Sequence, residues 1–446
     1  MPLLRQVPHN LIDKAASRHV ARTEVPLYGA RALAIIPVLG FVQLAILAPL
    51  LLKLDILASD GVSLQNRLFW IVLSATAIYL VYKNRDRVNE TFVRSVPIIA
   101  LSIYLSFAAA SIGWAFSPDY ALPRFFGETM LIATVILPYT LPVSTAHTLQ
   151  RLHMCCVAGL LINAVFVVTT DPTPIGHAGY FNHKQALGTF SAITIILSLH
   201  EVFRGGWRRF LGIAAICIAV WIIIESESKG SFIFLFVTIA LTALLLLLGK
   251  LTKVSPAWFI AAMTFMLLLL AYGGVDPISR ISYWSYGDST ITGRTQIWEF
   301  INYHISQNYW FGWGFHSYWF IPNSPHNEAT GFIREMLSSH SGYMELKLET
   351  GYIGYWLFLC FIYTSLNCVE SVRINDSLQV WAFLSIMIFV MLINLIESVW
   401  ITANPLWFLF LVATAEVIRS ASVGTRKAIR SPAFVGAIGQ SPYASR

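Results

Sequence analysis

The sequence predicts an all-α polytopic membrane protein of about twelve transmembrane helices with one large outer loop. Three observations carry that expectation. Of 446 residues, 56% are hydrophobic and only 12% charged, about half the charged share of a soluble domain. Apolar runs near 20 residues recur along the chain, long enough to cross a hydrocarbon core of about 30 Å. Lysine and arginine are spread unevenly between the loops, as the positive-inside rule requires.

Taken in order, residues 1–31 are polar and basic. With no cleavage site behind a short apolar core, they read as a cytoplasmic tail rather than a removed signal peptide. The integral domain, 32–418, begins with spans at 32–54 and 67–82. A basic inner loop with Lys83, Arg85, Arg87 and Arg94 follows. Spans at 96–116 and 125–142 lead to Arg151, and spans at 152–170 and 185–200 to Arg204, Arg208 and Arg209. Spans at 210–225 and 231–249 lead to Lys250 and Lys253. A span at 256–273 then opens the longest loop, 274–349. Spans at 350–369, 378–397 and 400–418 complete the set, before a cytoplasmic tail at 419–446. With both termini inside, 21 of the 30 basic residues fall on the inner side. The net charge of +7 is therefore mainly an orientation signal. No nucleic-acid motif is present. Cys155, Cys156, Cys217, Cys360 and Cys368 all lie in apolar runs, with neither zinc-finger spacing nor a disulfide framework.

Topology accounts for the inner cations and leaves the outer ones, so function is sought in loop 274–349, facing the periplasm or cell exterior. In "STITGRTQIWEF" (289–300), Thr290 or Thr292 can cap a helix that begins near Arg294. Ile297, Trp298, Ile301 and Ile305 then form one apolar face. Arg294 beside the helix N-terminal donors can complete an anion site, or simply snorkel to headgroups. "YWFGWGFHSYWF" (309–320) holds eight aromatics that suit sugar rings or an interfacial belt, and Gly312 and Gly314 imply a tight turn. His340, ahead of another apolar-periodic segment, is either a general base or a solvated loop histidine.

These pieces in this order resemble the bacterial O-antigen ligase and polymerase superfamily, closest to exopolysaccharide repeat-unit polymerases. The resemblance is carried by "TGRTQIW", "FGWGF", "SHSGYMEL" and "TGYIG", and upstream by "GWAFSPDYALPRFF" (113–126), "GYFNHKQALG" (179–188) and "SESKGSF" (226–232). It covers roughly residues 95–360. Two positions depart from the family pattern: Ser341 and Gln185 each stand where it has asparagine. His326-Asn327 is a second histidine–asparagine pair, and His340 is preferred for its spacing to Gly351.

The resemblance implies a GT-C-like glycosyltransferase of the bacterial inner membrane with its active site on the periplasmic side. It would move an oligosaccharide from undecaprenyl diphosphate to an acceptor hydroxyl, with inversion, without metal and without a cofactor. It implies His340 as base or orienting group and Arg294 as diphosphate clamp. Lys229, Arg124 and Lys184 are further diphosphate candidates, and Trp298, Trp310, Trp313 and His183 are sugar contacts. Lys229, Arg294 and His340 should then line one outward cavity. Membrane lipid and chain-length or export proteins are the implied partners. The competing readings are a ligase acting on a lipid core or protein, a lipid-linked sugar flippase or transporter, and a non-catalytic export subunit.

Overall fold

In the computed structural model the described residues are 27–55, 64–143, 145, 147–272, 294–369 and 376–429. They are overwhelmingly helical. The main helices are α1 (Ala30–Lys53), α2 (Leu64–Lys83), α3 (Val96–Ser111), α4 (Pro118–Tyr139), α5 (Thr148–Thr169) and α6 (Lys184–Arg204). They continue with α7 (Trp207–Glu225), α8 (Lys229–Thr252), α9 (Pro256–Tyr272), α10 (Arg294–Gln307), α11 (Gly342–Asn367), α12 (Ser377–Ile393) and α13 (Pro405–Ile429). Each of the twelve expected spans falls on one of these helices. Among the described residues, seven helices are long and apolar enough to cross a membrane: α1, α3 with its following turn, and α4 to α8. The proposed caps Thr290 and Thr292 and both tails lie outside the described residues, apart from 27–31 and 419–429.

Helices α6, α12 and α13 form the inside of the bundle. α6 is buried nearly continuously from Leu187 to Ser198. Small residues along it, Gly188, Ser191, Ala192 and Thr194, let neighbouring helices come close, as membrane helix packing favours. Thr194 Oγ1 donates to the Phe190 carbonyl at 2.7 Å, so the buried hydroxyl is satisfied within its own helix. α1 carries a π-helical stretch at Gln43–Leu47. There the Tyr180 hydroxyl donates to the Ala45 carbonyl at 2.7 Å, an outside donor for the loosened ladder.

Three sequence boundaries are corrected. Arg124 and Pro123 belong to α4, which begins at Pro118, not at 125; proline is favoured in a first helical turn. α11 starts eight residues ahead of the expected span and passes through a break at Gly351, φ 63° and ψ −171°. The spans at 378–397 and 400–418 are separated by an irregular connector, 394–404, rather than by two residues. Asn394 builds that connector. Its Oδ1 accepts from Val399 N at 3.0 Å and Trp400 N at 2.9 Å, and its Nδ2 donates to the Val390 carbonyl at 2.7 Å. One buried amide thus replaces the helical partners of a chain that has stopped being helical.

α10 and the aromatic segment dock against α11 at the bundle end that also carries the connector. Ile297, Ile301 and Ile305 are buried with Tyr318, Trp319 and Leu348, the apolar face read from the sequence. Residues 309–314 bond to the backbone at the break in α11. Trp313 N donates to the Leu348 carbonyl and Gly314 N to the Glu349 carbonyl, both at 2.9 Å. Tyr352 N donates back to the Tyr309 carbonyl at 2.9 Å. Gly312 and Gly351 meet back to back: a Cβ at 312 would lie 2.4 Å from Gly351 N, and one at 351 would lie 2.3 Å from the Trp310 carbonyl oxygen. Both also have φ above +60°. Gly312→Ala and Gly351→Ala should therefore each destabilise the docked loop by at least about 1–3 kcal/mol from the backbone conformation alone. Limited proteolysis and thermal unfolding in detergent would read this as faster cleavage between 309 and 320 and a lower midpoint.

Candidate active site

Arg294 and His340 are brought together by a residue the sequence reading did not single out, Glu397 in the connector. Arg294 Nη2 lies 2.8 Å from Glu397 Oε1, and His340 Nδ1 lies 3.4 Å from Glu397 Oε2. Each position has a local cause. Arg294 is in the first described turn of α10, on the face buried by Ile297 and Ile301. His340 sits in the left-handed region at φ 50°, a strained conformation for a non-glycine residue. It is held there from both sides. Trp298 Nε1 donates to the Ser339 carbonyl at 3.0 Å, and Ser341 N donates to Ser398 Oγ at 3.2 Å. Gly342 N donates to the Asn394 and Glu397 carbonyls at 2.9 and 3.0 Å. Ser341, in place of the family asparagine, bonds the same connector through Asn394.

Burial works against a charged Glu397. The His340 hydrogen bond and the charge of Arg294 outweigh it and hold the carboxyl below the usual glutamate range. With Nδ1–H donated to Glu397, His340 Nε2 keeps a lone pair that can accept a proton.

A cavity of about 410 Å³ opens beside this trio. Its wall includes His183, Gln185, His340 and Glu397, with Ser338 and Asn404. His183 caps α6: its Nδ1 accepts from Gln185 N at 3.2 Å, which leaves Nε2 as the donor. Burial holds His183 below the usual histidine pKa; Glu397 opposes this, whereas His340, Lys184 and Arg294 add to it. Gln185, the other departure from the family pattern, bonds Ser228 in "SESKGSF", so two of the three upstream motifs meet. Lys184 is the first residue of α6, between two cavity residues. Lys229 is the first residue of α8 and is exposed. A Cβ on its neighbour Gly230 would lie 2.5 Å from Ile396 Cδ1, one residue from Glu397. Neither lysine is part of the cavity wall, and nor is Arg294, which is buried behind Glu397. Of the three residues expected to line one cavity, Lys229, Arg294 and His340, only His340 does.

The remaining candidates hold the loop. Arg124 Nη1 donates to the His316 carbonyl at 2.8 Å. Trp313 stacks on Phe116 at 5.2 Å and donates from Nε1 to the His304 carbonyl at 2.9 Å. Trp310 is exposed at the surface. His326, from the second histidine–asparagine pair, is buried, with Nε2 3.1 Å from the Ile333 carbonyl oxygen. Among the described residues, no group of three or more histidine, cysteine or acidic side chains could hold a metal ion.

A second histidine, His316, is clamped between Glu349 Oε1 at 3.3 Å from Nδ1 and the Ile401 carbonyl at 2.9 Å from Nε2. Burial alone favours the neutral ring. The charge and hydrogen bond of Glu349, with Glu128 and the Ile401 carbonyl, outweigh it and push the pKa up to about 9. A raised histidine pKa adds stability that is complete below the unfolded value near 6.5 and is lost as pH rises through about 9. Stability should thus fall by on the order of 3 kcal/mol across that window. His316→Gln should flatten the fall, as measured by unfolding midpoints between pH 6 and 10.

A family model described as O-antigen ligase matches residues 189–359, which include Lys229, Arg294 and His340 but not Glu397. Over 310 residues the chain is 26% identical to the exopolysaccharide production protein ExoQ of Rhizobium meliloti (strain 1021), covering 64% of this chain and 68% of that protein. The chain is thus similar to an O-antigen ligase family and to a protein of exopolysaccharide production, and it has the helices of a multi-pass membrane protein.

Proposed function

We propose that this protein polymerises exopolysaccharide repeat units, moving a glycan from undecaprenyl diphosphate to a hydroxyl of an acceptor unit. The observation that carries the reading is the Arg294–Glu397–His340 arrangement beside the cavity. The acceptor oxygen attacks the anomeric carbon and its proton passes to His340 Nε2. The bond from that carbon to the diphosphate breaks, and the diphosphate leaves with the electron pair. One displacement inverts the carbon. Negative charge grows on the leaving group, where the planar fork of Arg294 meets two phosphate oxygens by exchanging its Glu397 contact for the diphosphate. Lys184 and Lys229, each heading a helix, add positive charge beside helix N-termini. His183 Nε2 offers a sugar hydroxyl a donor. The bias of basic residues supports a periplasmic location for this end of the bundle, in a protein of the bacterial inner membrane. No divalent metal is needed.

A ligase that transfers finished glycan to a lipid core or protein is the second reading, favoured by the description of the matching family model. Deleting the gene and analysing lipid-linked intermediates separates the two. Accumulated single repeats are expected; accumulated long chains would establish the ligase instead. In purified protein supplied with lipid-linked repeats extracted from that deletion strain, Arg294→Lys should retain folding and lose roughly 100-fold in rate, since lysine keeps the charge without the fork. Wild-type activity should survive EDTA. A fully active lysine variant, or loss in EDTA restored by magnesium, would refute the assigned chemistry.

A further inference from the structure

Glu345 lies in the first turn of α11, ahead of the break at Gly351, and is 8% exposed. Among the described residues it makes no ion pair. Instead it gathers three donors. Trp319 Nε1 donates to Oε1, Ser339 N donates to Oε2 at 2.9 Å, and Ser398 Oγ reaches Oε2 at 3.5 Å. Burial and Glu349, one turn away, push this carboxyl up to about 7, while the donors from Ser339 and Trp319 pull it down. The identity of the donors is what matters. Ser339 directly precedes His340, and Ser398 directly follows Glu397. The two serines also touch each other, Oγ to Oγ at 3.2 Å, and Ser398 Oγ accepts Ser341 N at 3.2 Å. The loop bearing His340 and the connector bearing Glu397 are separate stretches of chain, and one carboxylate grips both.

We infer that Glu345 is a positioning residue that sets the His340–Glu397 geometry through Ser339 and Ser398. It is not itself in the cavity wall, which it reaches only through Ser398, and it touches neither of the two side chains it aligns. Above about pH 7, where it is ionised, the carboxylate can accept all three donors. An amide can accept at only one of its two ends. With its oxygen toward the serines its NH₂ meets the buried Trp319 N–H, and turned the other way it meets Ser339 N–H. In either orientation a donor faces a donor, and the side chain is pushed from its place between the serines. A displacement of about 1 Å at a reacting group costs up to roughly 100-fold in rate. The kinetic consequence rests on the transfer reading proposed above; the geometric one does not.

Two measurements on the full-length protein in detergent or nanodiscs test this. The first is hydrogen–deuterium exchange of the peptides spanning 338–342 and 394–400. Glu345→Gln should accelerate exchange in both segments together. Trp319→Phe, which removes a donor that leads to neither segment, should leave them near wild type. Unchanged exchange in Glu345→Gln, or acceleration in only one segment, would overturn the inference. The second is transfer from extracted lipid-linked repeats. Glu345→Gln should lower kcat roughly 10- to 100-fold with donor KM within about twofold. Ser398→Ala should act in the same direction, and the double variant should be no worse than the poorer single one, because both cut one linkage. Independent, multiplying losses would refute the shared clamp. If Glu345→Gln does not fold, Ser398→Ala decides alone: lower kcat with unchanged KM supports the inference, and wild-type kinetics refute it. If the wild-type protein transfers nothing, the transfer reading falls while the exchange measurement still decides the clamp.

Discussion

A carboxylate at the end of an apolar bundle must find positive partners, and Glu397 is organised around that need. Removing an ionised side chain from water costs several kcal/mol unless charge and hydrogen bonds compensate. Glu397 meets Arg294 on one oxygen and His340 on the other. Those partners come from opposite ends of the stretch 294–341. The long loop therefore has to cross the bundle end and return for one acidic group to be satisfied. The connector holding Glu397 exists because α12 stops at Ile393 and Asn394 takes over the backbone bonds a helix would have made.

The loop is fastened mainly by backbone, which explains why its motifs are glycine-rich. At Gly312 and Gly351 two chains approach more closely than any side chain allows. Gly314 lies against Ala115 in the same way, so "FGWGF" touches "GWAFSPDY" on one side and "TGYIG" on the other. Ser317 Oγ accepts from Ser117 N at 3.3 Å, and Ser111 Oγ accepts from Phe315 N at 3.0 Å, closing the same seam. Backbone held in this manner tolerates the strained conformations at His316, His340 and Ile401, all with positive φ. A residue in such a region persists only where its surroundings over-determine it.

The helices were legible because a bilayer demands apolar length, and length is a property of the sequence alone. The buried face of α10 was legible for the same kind of reason: Ile297, Ile301 and Ile305 repeat at the helical period. The helix ends were less so. An apolar run does not reveal that Asn394 ends one helix, although Ser117-Pro118-Asp119 did carry a readable start signal for α4. Glu397 was missed because attention to outer cations passes over an acid at the edge of a span. The available signal was an acidic residue closing the apolar run "MLINLIES", where a membrane-embedded ionisable group warrants scrutiny. Lys229 shows the opposite difficulty. Its place at the head of α8 was readable, but the direction of a flexible side chain on an exposed first turn was not.

The aromatic segment shows how chemistry divides within one loop. An indole offers a broad face and a single donor, and that donor needs a partner once buried. Trp298, Trp313 and Trp319 spend theirs on Ser339, His304 and Glu345, all groups of the loop or of α11. Their rings are thereby fixed as packing elements behind the site. The cavity wall contains no aromatic ring of that segment; it combines apolar side chains, Met336, Leu337, Ile393, Val399 and Leu406, with short polar and ionisable groups, His183, Gln185, Ser338, His340, Glu397 and Asn404. Such groups can exchange partners at little steric cost, whereas a stacked ring cannot. Rigidity and reactivity therefore fall to different residue types: the aromatics immobilise the backbone around His340, and the groups that face the cavity remain available to a ligand.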